Sequence, residues 1–229
     1  MGKIMKINII YEDNHLLVVE KPVNVLSQSD DTGDMDLLSI LKQDIKLRYN
    51  KPGEVYLGLV HRLDRPVGGI MVFAKTSKAA SRLSEQIRQK EFKKTYLAVI
   101  HGIPEKKTNH LVDYLLKDCA VNIVAVVNKG VEGSKEAILD YEVLESRDGL
   151  SLVKIDLHTG RSHQIRVQLA NTGCPIYGDQ KYGAEKNKFG QQIALWAVGM
   201  NLKHPTLKHE LDFKLFPAHI PPWNLFEIN

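Results

Sequence analysis

Between residues 108 and 157 the chain leaves itself little choice of local structure. Four runs rich in β-branched and aromatic residues, LVDYLL, NIVAVV, AILDYEVLES and LSLVKIDL, follow one another, with NKGVEGSK and SRDG turns among them. Runs of this length broken by Gly, Asn and Asp specify strands. Elsewhere the two hydrophobic periods alternate. INIIYEDNHLLVVEKP reads as strand, Asp-Asn turn, strand and terminating proline, a hairpin-like start. DMDLLSILKQDIKLRY sets Leu37, Leu38, Leu41, Ile45 and Leu47 at helical spacing until NKPGE ends it. TSKAASRLSEQIRQK predicts a second helix, capped by Thr76 or Ser77, that buries Ala80, Leu83 and Ile87 and turns Arg82, Arg88 and Lys90 outward. GLVHRLDRPVGGIMVFAK reads as strand, loop, strand; EFKKTYLAVIHG, IALWAVGMNL and HELDFKLF read as further strands, and AEKNKFGQQ as an exposed loop. With no repeat, low-complexity tract or linker, the expectation is one mixed domain over residues 1–229, with room for two lobes.

Composition narrows the function classes. A 43% hydrophobic, 25% charged chain of 229 residues can bury a substantial core without staples. The 31 Lys and Arg against 27 Asp and Glu, net +4, permit a polyanionic partner without requiring one. Cys119 and Cys174 stand in no metal-type or CxxC spacing, which fits a reducing compartment. Lys3, Lys6, Glu12, Asp13 and His15 interrupt the N-terminal apolar residues, so neither a signal peptide nor a span of about 20 apolar residues is present, and a cytoplasmic location without a membrane partner is expected.

Two constellations can carry chemistry. In HTGRSHQIRVQLANTG a strand gives way at Gly160 to a short helix marked by Ile165 and Leu169, with Ser162 as candidate cap. The free N–H groups of a helix start attract an anion, and Arg161 stands there; His163 and Arg166, about one turn apart, can share that face. Surface ion pairs are the plain alternative for these arginines. The second constellation is Asp64 between Arg62 and Arg65. Neighbouring positive charge keeps a carboxylate ionised, which suits a nucleophile or base, while a salt-bridged turn would use the same residues. Tyr96 could stack on a base or pack in the core, and Lys93 and Lys94 could track phosphates or lie on a solvated face. Other chemistries fit poorly: GVEGSKEA has the wrong spacing for a phosphate loop, Ser162-His163 lacks a nucleophile elbow, and His61, His101, His110, His158 and His163 show no HExxH or paired spacing, which argues against zinc.

HRLDRPVGGIMVFAK resembles the catalytic motif of the RluA-type family of pseudouridine synthases, HRLD followed by two variable residues and Thr-Ser-Gly, and LHTGRSHQIRVQLANTGCPIYGDQKYG resembles the family's later motif. IIYEDNHLLVVEKP, KKTYLAVIHG, SKEAILDYEVL and ALWAVGMNLKHP resemble further family segments, so the likeness spans nearly the whole chain. It implies an α+β fold, a mixed, largely antiparallel sheet with helices packed around it and a central basic cleft. It implies isomerisation of a uridine in ribosomal RNA or tRNA without metal or other cofactor. The family's catalytic aspartate falls on Asp64, its active-site tyrosine on Tyr96 and the arginine that pairs with the carboxylate on Arg166. Arg62 corresponds to the motif arginine that holds the place of the flipped nucleotide, and Arg65, Arg161, His163, Lys93 and Lys94 complete the expected RNA contacts. The first motif begins near residue 7, so no N-terminal S4 domain is expected, and neither is more than a monomer. Val67-Gly68 stands where the family has Thr-Ser, Asn24 where it has glycine, and Trp196 where histidine is commoner. Asn tolerates a left-handed backbone, so the turn at 24 is expected to survive. Two other readings remain at this stage: an RNA-binding or assembly protein that keeps the fold without activity, and a metal-free hydrolase acting on phosphate at TGRSHQIR.

Overall fold

The structure, a computed structural model, describes residues 5–228. It divides into two compact units, the chain up to Phe92 with Gly199–Leu215, and Lys93–Val198 with the segment from Phe216 onward.

In the first unit β1 (Ile9–Glu12) and β2 (Leu16–Lys21) form the expected hairpin, and β4 (Gly68–Ala74) lies antiparallel to β2. The two-residue β3 (Gly58–Leu59) pairs with β4, and the end of β10 (Leu195–Lys203) pairs with β11 (Glu210–Lys214). All seven residues of β4 are buried, as a continuous apolar run requires of a strand covered on both faces. On one face Leu16, Val18, Ile70, Val72, Met200 and Leu202, alternating along their strands, pack with Ala79 and Leu83 of α2 (Ser77–Arg88). The cap of α2 is Thr76, which accepts the Ala79 N–H; Ala80 and Ile87 only flank that core. α1 (Leu37–Arg48) starts at Asp36, which accepts from Ser39, and buries Leu37, Ile40, Leu41 and Ile45. Leu47, expected on that stripe, follows Ile40 by seven residues and so keeps its side of the helix, yet it is 63% exposed in the last turn, where the buried residues have ended at Ile45.

In the second unit β5 (Lys93–His101), β9 (Leu150–Leu157), β8 (Lys135–Arg147), β6 (Thr108–Asp118) and β7 (Ile123–Val127) lie side by side in that order, antiparallel throughout. α3 (Gln164–Asn171) sets Val167 against Leu115, Val124 and Ala137. The mixed, mostly antiparallel sheet architecture expected from the sequence is therefore present in three-helix form. Among the described residues no helix is long and apolar enough to cross a membrane.

One local expectation fails for an identifiable reason. Ser162 does not cap α3; the N-cap residue is His163, with a left-handed backbone at φ 52 and no side-chain capping bond. Gln164, the first helical residue, ties down the bend before the helix instead: its Oε1 accepts from the Arg161 N–H and the Thr159 hydroxyl while its Nε2 donates to the Ile138 carbonyl. The strand, loop, strand reading of 58–75 holds: β3 stops after Leu59 and residues 60–67 form the loop before β4. Side chains take up that backbone: His61 Nε2 accepts the Val72 N–H, and the Ser27 hydroxyl both donates to the Leu63 carbonyl and accepts the Leu63 N–H.

The β1–β2 turn rests on one carboxylate. Asp13 accepts the His15 and Leu16 N–H groups at 2.7 Å each, the Tyr11 hydroxyl at 2.9 Å and fully buried His204 at 2.7 Å. Burial alone would raise its pKa, but these bonds outweigh burial and hold it at about 2, against 3.8. The contribution, roughly 2 kcal/mol, is therefore complete above about pH 4 and is lost as the pH falls through about 2. Urea unfolding should show Asp13→Asn clearly weaker than the parent at about pH 6, with the gap closing near pH 2.

Candidate active site

Asp64 sits on the 60–67 segment, half-buried between buried Leu63 and Val67. Its backbone is fixed by a cation that sequence reasoning passed over. Lys21, at the end of β2, has no exposed surface, and its ammonium donates to the carbonyls of Pro22 at 2.9 Å, Arg65 at 3.0 Å and Val67 at 2.6 Å. The Val67 N–H closes the turn on the Asp64 carbonyl at 3.0 Å. Burial pulls the Lys21 pKa from 10.5 to about 7, and the Asp64 carboxylate opposes the fall. A signal was present in the sequence: Leu17, Val19 and Lys21 share one phase of the strand, which puts the lysine on the same face as two large apolar residues.

The arginines that flank the acid go elsewhere or outward. Arg65 pairs with Asp34 at 2.7 Å, both about half exposed, so this ion pair contributes little to stability. Arg62 is exposed. The left-handed turn at Asn24 is present, with φ 64.

The second unit holds the other candidate residues. Tyr96 is 6% exposed on β5, directly opposite Ile155 of β9. Arg166, 6% exposed on α3, makes a two-bonded pair with Asp179, Nε to Oδ2 at 2.8 Å and a terminal nitrogen to Oδ1 at 2.7 Å. Asp179 also accepts the Lys181 and Tyr182 N–H groups. Burial would raise the Asp179 pKa, yet Arg166 and these amides prevail and hold it below the usual carboxylate range. Preceding it, Gly178 has φ +79, and a Cβ there would lie 2.1 Å from the Gln192 carbonyl oxygen, so only glycine fits. Tyr182 links the cluster: its ring faces the Arg166 guanidinium at 5.3 Å, and its hydroxyl accepts the Val124 N–H and bonds His163 Nδ1 at 2.7 Å. His163 and Arg166 thus converge on Tyr182, whereas Arg161 turns to β8 and donates to the Glu136 carbonyl. Lys93 is exposed; Lys94 lies against the bend at Gly160, where a Cβ would stand 3.5 Å from its Nζ, and burial lowers its pKa. Asp179 and Tyr182, unassigned from the sequence, lie in the YGDQKYG end of the later motif.

Lys21 gives a direct test. Between pH 7 and 10.5 the unfolded chain binds a proton that the folded chain does not, so stability rises with pH, by roughly 1 kcal/mol per unit. Lys21→Met should lack this rise and, with three carbonyls left unpaired, lose about 3 kcal/mol or more at neutral pH. Denaturant midpoints across the alkaline range on both proteins measure it.

Comparison with known proteins places this arrangement. The profile of a family described as RNA pseudouridylate synthase matches residues 15–171. Ribosomal large subunit pseudouridine synthase C of Buchnera aphidicola is 34% identical over 213 residues, 89% of this chain and 64% of that protein. An RNA pseudouridine synthase of Bacillus subtilis, described as uncharacterized, is 34% identical over 87% of this chain and 65% of its own length. Ribosomal large subunit pseudouridine synthase D of Zymomonas mobilis is 31% identical over 90% of this chain and 68% of its own length. The chain thus spans about two thirds of the length of these curated relatives. Among solved structures, human RNA pseudouridylate synthase domain containing 4 matches with a TM-score of 0.77 at 24% identity, covering 92% of this chain and 89% of that one, which shows a common fold. With the profile covering more than half the residues and relatives above 30% identity, the chain belongs to the RNA pseudouridylate synthase family.

Proposed function

We propose that this protein is an RNA pseudouridine synthase that isomerises a uridine in ribosomal RNA or tRNA, with Asp64 as the catalytic carboxylate. The observation that carries the reading is the investment of buried groups in the Asp64 turn: a fully buried lysine and a buried serine hold the backbone on either side of one half-buried acid. A turn that only reversed the chain would need neither. The relatives' names supply the reaction class.

In that reaction the bond from the sugar C1′ to uracil N1 breaks and a bond from C1′ to C5 forms, while the C5 proton is lost and N1 gains one. No electron acceptor is needed. An ionised Asp64 serves either as nucleophile or as base at the sugar. The resemblance assigns Tyr96 to stack on the uracil, Arg166 to pair with the catalytic carboxylate and Arg62 to take the place of the extruded nucleotide. Extrusion costs a few kcal/mol, which phosphate contacts from Arg65, Arg161, His163, Lys93 and Lys94 offset. Two features support activity despite the missing Thr-Ser hydroxyls: the Val67 N–H closes the turn, and the Val67 carbonyl accepts from Lys21.

The test uses total RNA from a strain lacking the protein. After incubation, carbodiimide adducts on pseudouridine stop reverse transcriptase, and new stops should appear with the parent and vanish with Asp64→Asn, a loss of roughly a thousandfold or more. Thermal melting of the variant controls for folding. RNA binding without stops in the parent would favour an inactive assembly factor, and RNA-independent phosphate release a hydrolase.

A further inference from the structure

The antiparallel register of the second unit assembles three metal-ligating side chains that are far apart in sequence. His110 of β6 stands directly opposite Asp140 of β8, and Asp140 stands opposite Asp156 of β9. Directly opposed residues share a face, and His158, two residues after Asp156, keeps the same phase. His110 Nδ1 lies 2.5 Å from Asp140 Oδ1 and His158 Nε2 lies 2.6 Å from Asp140 Oδ2. One nitrogen or oxygen from each of the three falls within 4.8 Å of the others. The separations 110 to 140 and 140 to 158 match no metal motif, so spacing along the chain argued against a metal where the sheet provides a ligand set.

We propose that His110, Asp140 and His158 form a surface site for a divalent transition-metal ion of the zinc class. Two imidazole nitrogens and one carboxylate suit Zn2+, Co2+, Ni2+ or Cu2+, whereas Mg2+ and Ca2+ require oxygen ligands. The three side chains are 59%, 45% and 41% exposed, so an ion can enter from solvent and water can complete its coordination. Both imidazoles now direct a nitrogen at one carboxylate; an ion there is met by the lone pairs of those nitrogens, each neutral ring carrying its proton on the other nitrogen. Asp156 is occupied otherwise, accepting from Thr95 at 2.9 Å and lying 3.6 Å from Lys154. An ion bound here would staple β6, β8 and the end of β9 together. The inference does not depend on the RNA reaction.

The experiment takes the full chain, free of affinity tags and stripped with chelator, and titrates ZnCl2 calorimetrically. A saturable one-to-one binding heat is expected, with a rise in melting temperature that MgCl2 does not give. CoCl2 should produce a visible absorption band from imidazole-bound cobalt. His110→Ala, His158→Ala and Asp140→Asn should each weaken Zn2+ binding roughly tenfold or more, their metal-free melting temperatures showing that they are folded. Absence of saturable Zn2+ binding would overturn the proposal, as would Zn2+ affinity in both histidine variants equal to the parent's, which would place the ion at other histidines or at Cys119.

Discussion

A lysine with no exposed surface, bonded through its ammonium to three backbone carbonyls, sets the local geometry on which the reading of this protein turns. An ammonium has three N–H donors, and Lys21 meets three acceptors, which is the arrangement that makes a buried cation tolerable. Two of those carbonyls belong to the residues immediately after and three after Asp64. Because the strand that carries Lys21 is paired along its whole length with β4, the turn inherits the rigidity of the sheet. The interaction is also mutual, since the Asp64 charge supports the cation that positions its own backbone.

In the second unit a buried charge is again used for direction. Arg166 and Asp179 are both nearly inaccessible, and such a pair contributes little net stability because desolvation offsets the attraction. What it provides is orientation: two parallel bonds fix the plane of the guanidinium, and Tyr182 covers one face of it. The left-handed start of α3 at His163 belongs to the same cluster, because its imidazole meets the Tyr182 hydroxyl.

The parts of the fold that were legible in the sequence are those where one hydrophobic period decides the matter. The β1–β2 hairpin, α1, α2 and the strands from 108 to 157 all appear, since their apolar spacing has a single solution. Less legible is how side chains stand in for backbone partners. Residues 60–67 read as a loop, but that Ser27, distant in sequence, would bond the Leu63 backbone and His61 the Val72 N–H is recorded by no local pattern. Ser162 has the chemistry of a cap, yet the N-cap position falls one residue later on left-handed His163, and Gln164 bonds the preceding bend. The histidine and aspartate cluster was invisible for a third reason: it is assembled by strand register, which no local spacing records.

The departure at Val67-Gly68 shows why a motif is better judged by its bonds than by its letters. Hydroxyls at these positions could serve the turn by capping backbone groups, but the turn after Asp64 is already closed through the Val67 amide and carbonyl, which every residue except proline supplies. The valine side chain is 2% exposed, so the position contributes apolar burial where threonine would contribute a hydroxyl needing its own partner. The position that favours glycine is two residues after the valine: Gly69 has φ 120, a conformation that a Cβ strains. Glycine there is the one letter of the Thr-Ser-Gly pattern that this chain keeps, and it is the letter that backbone geometry demands.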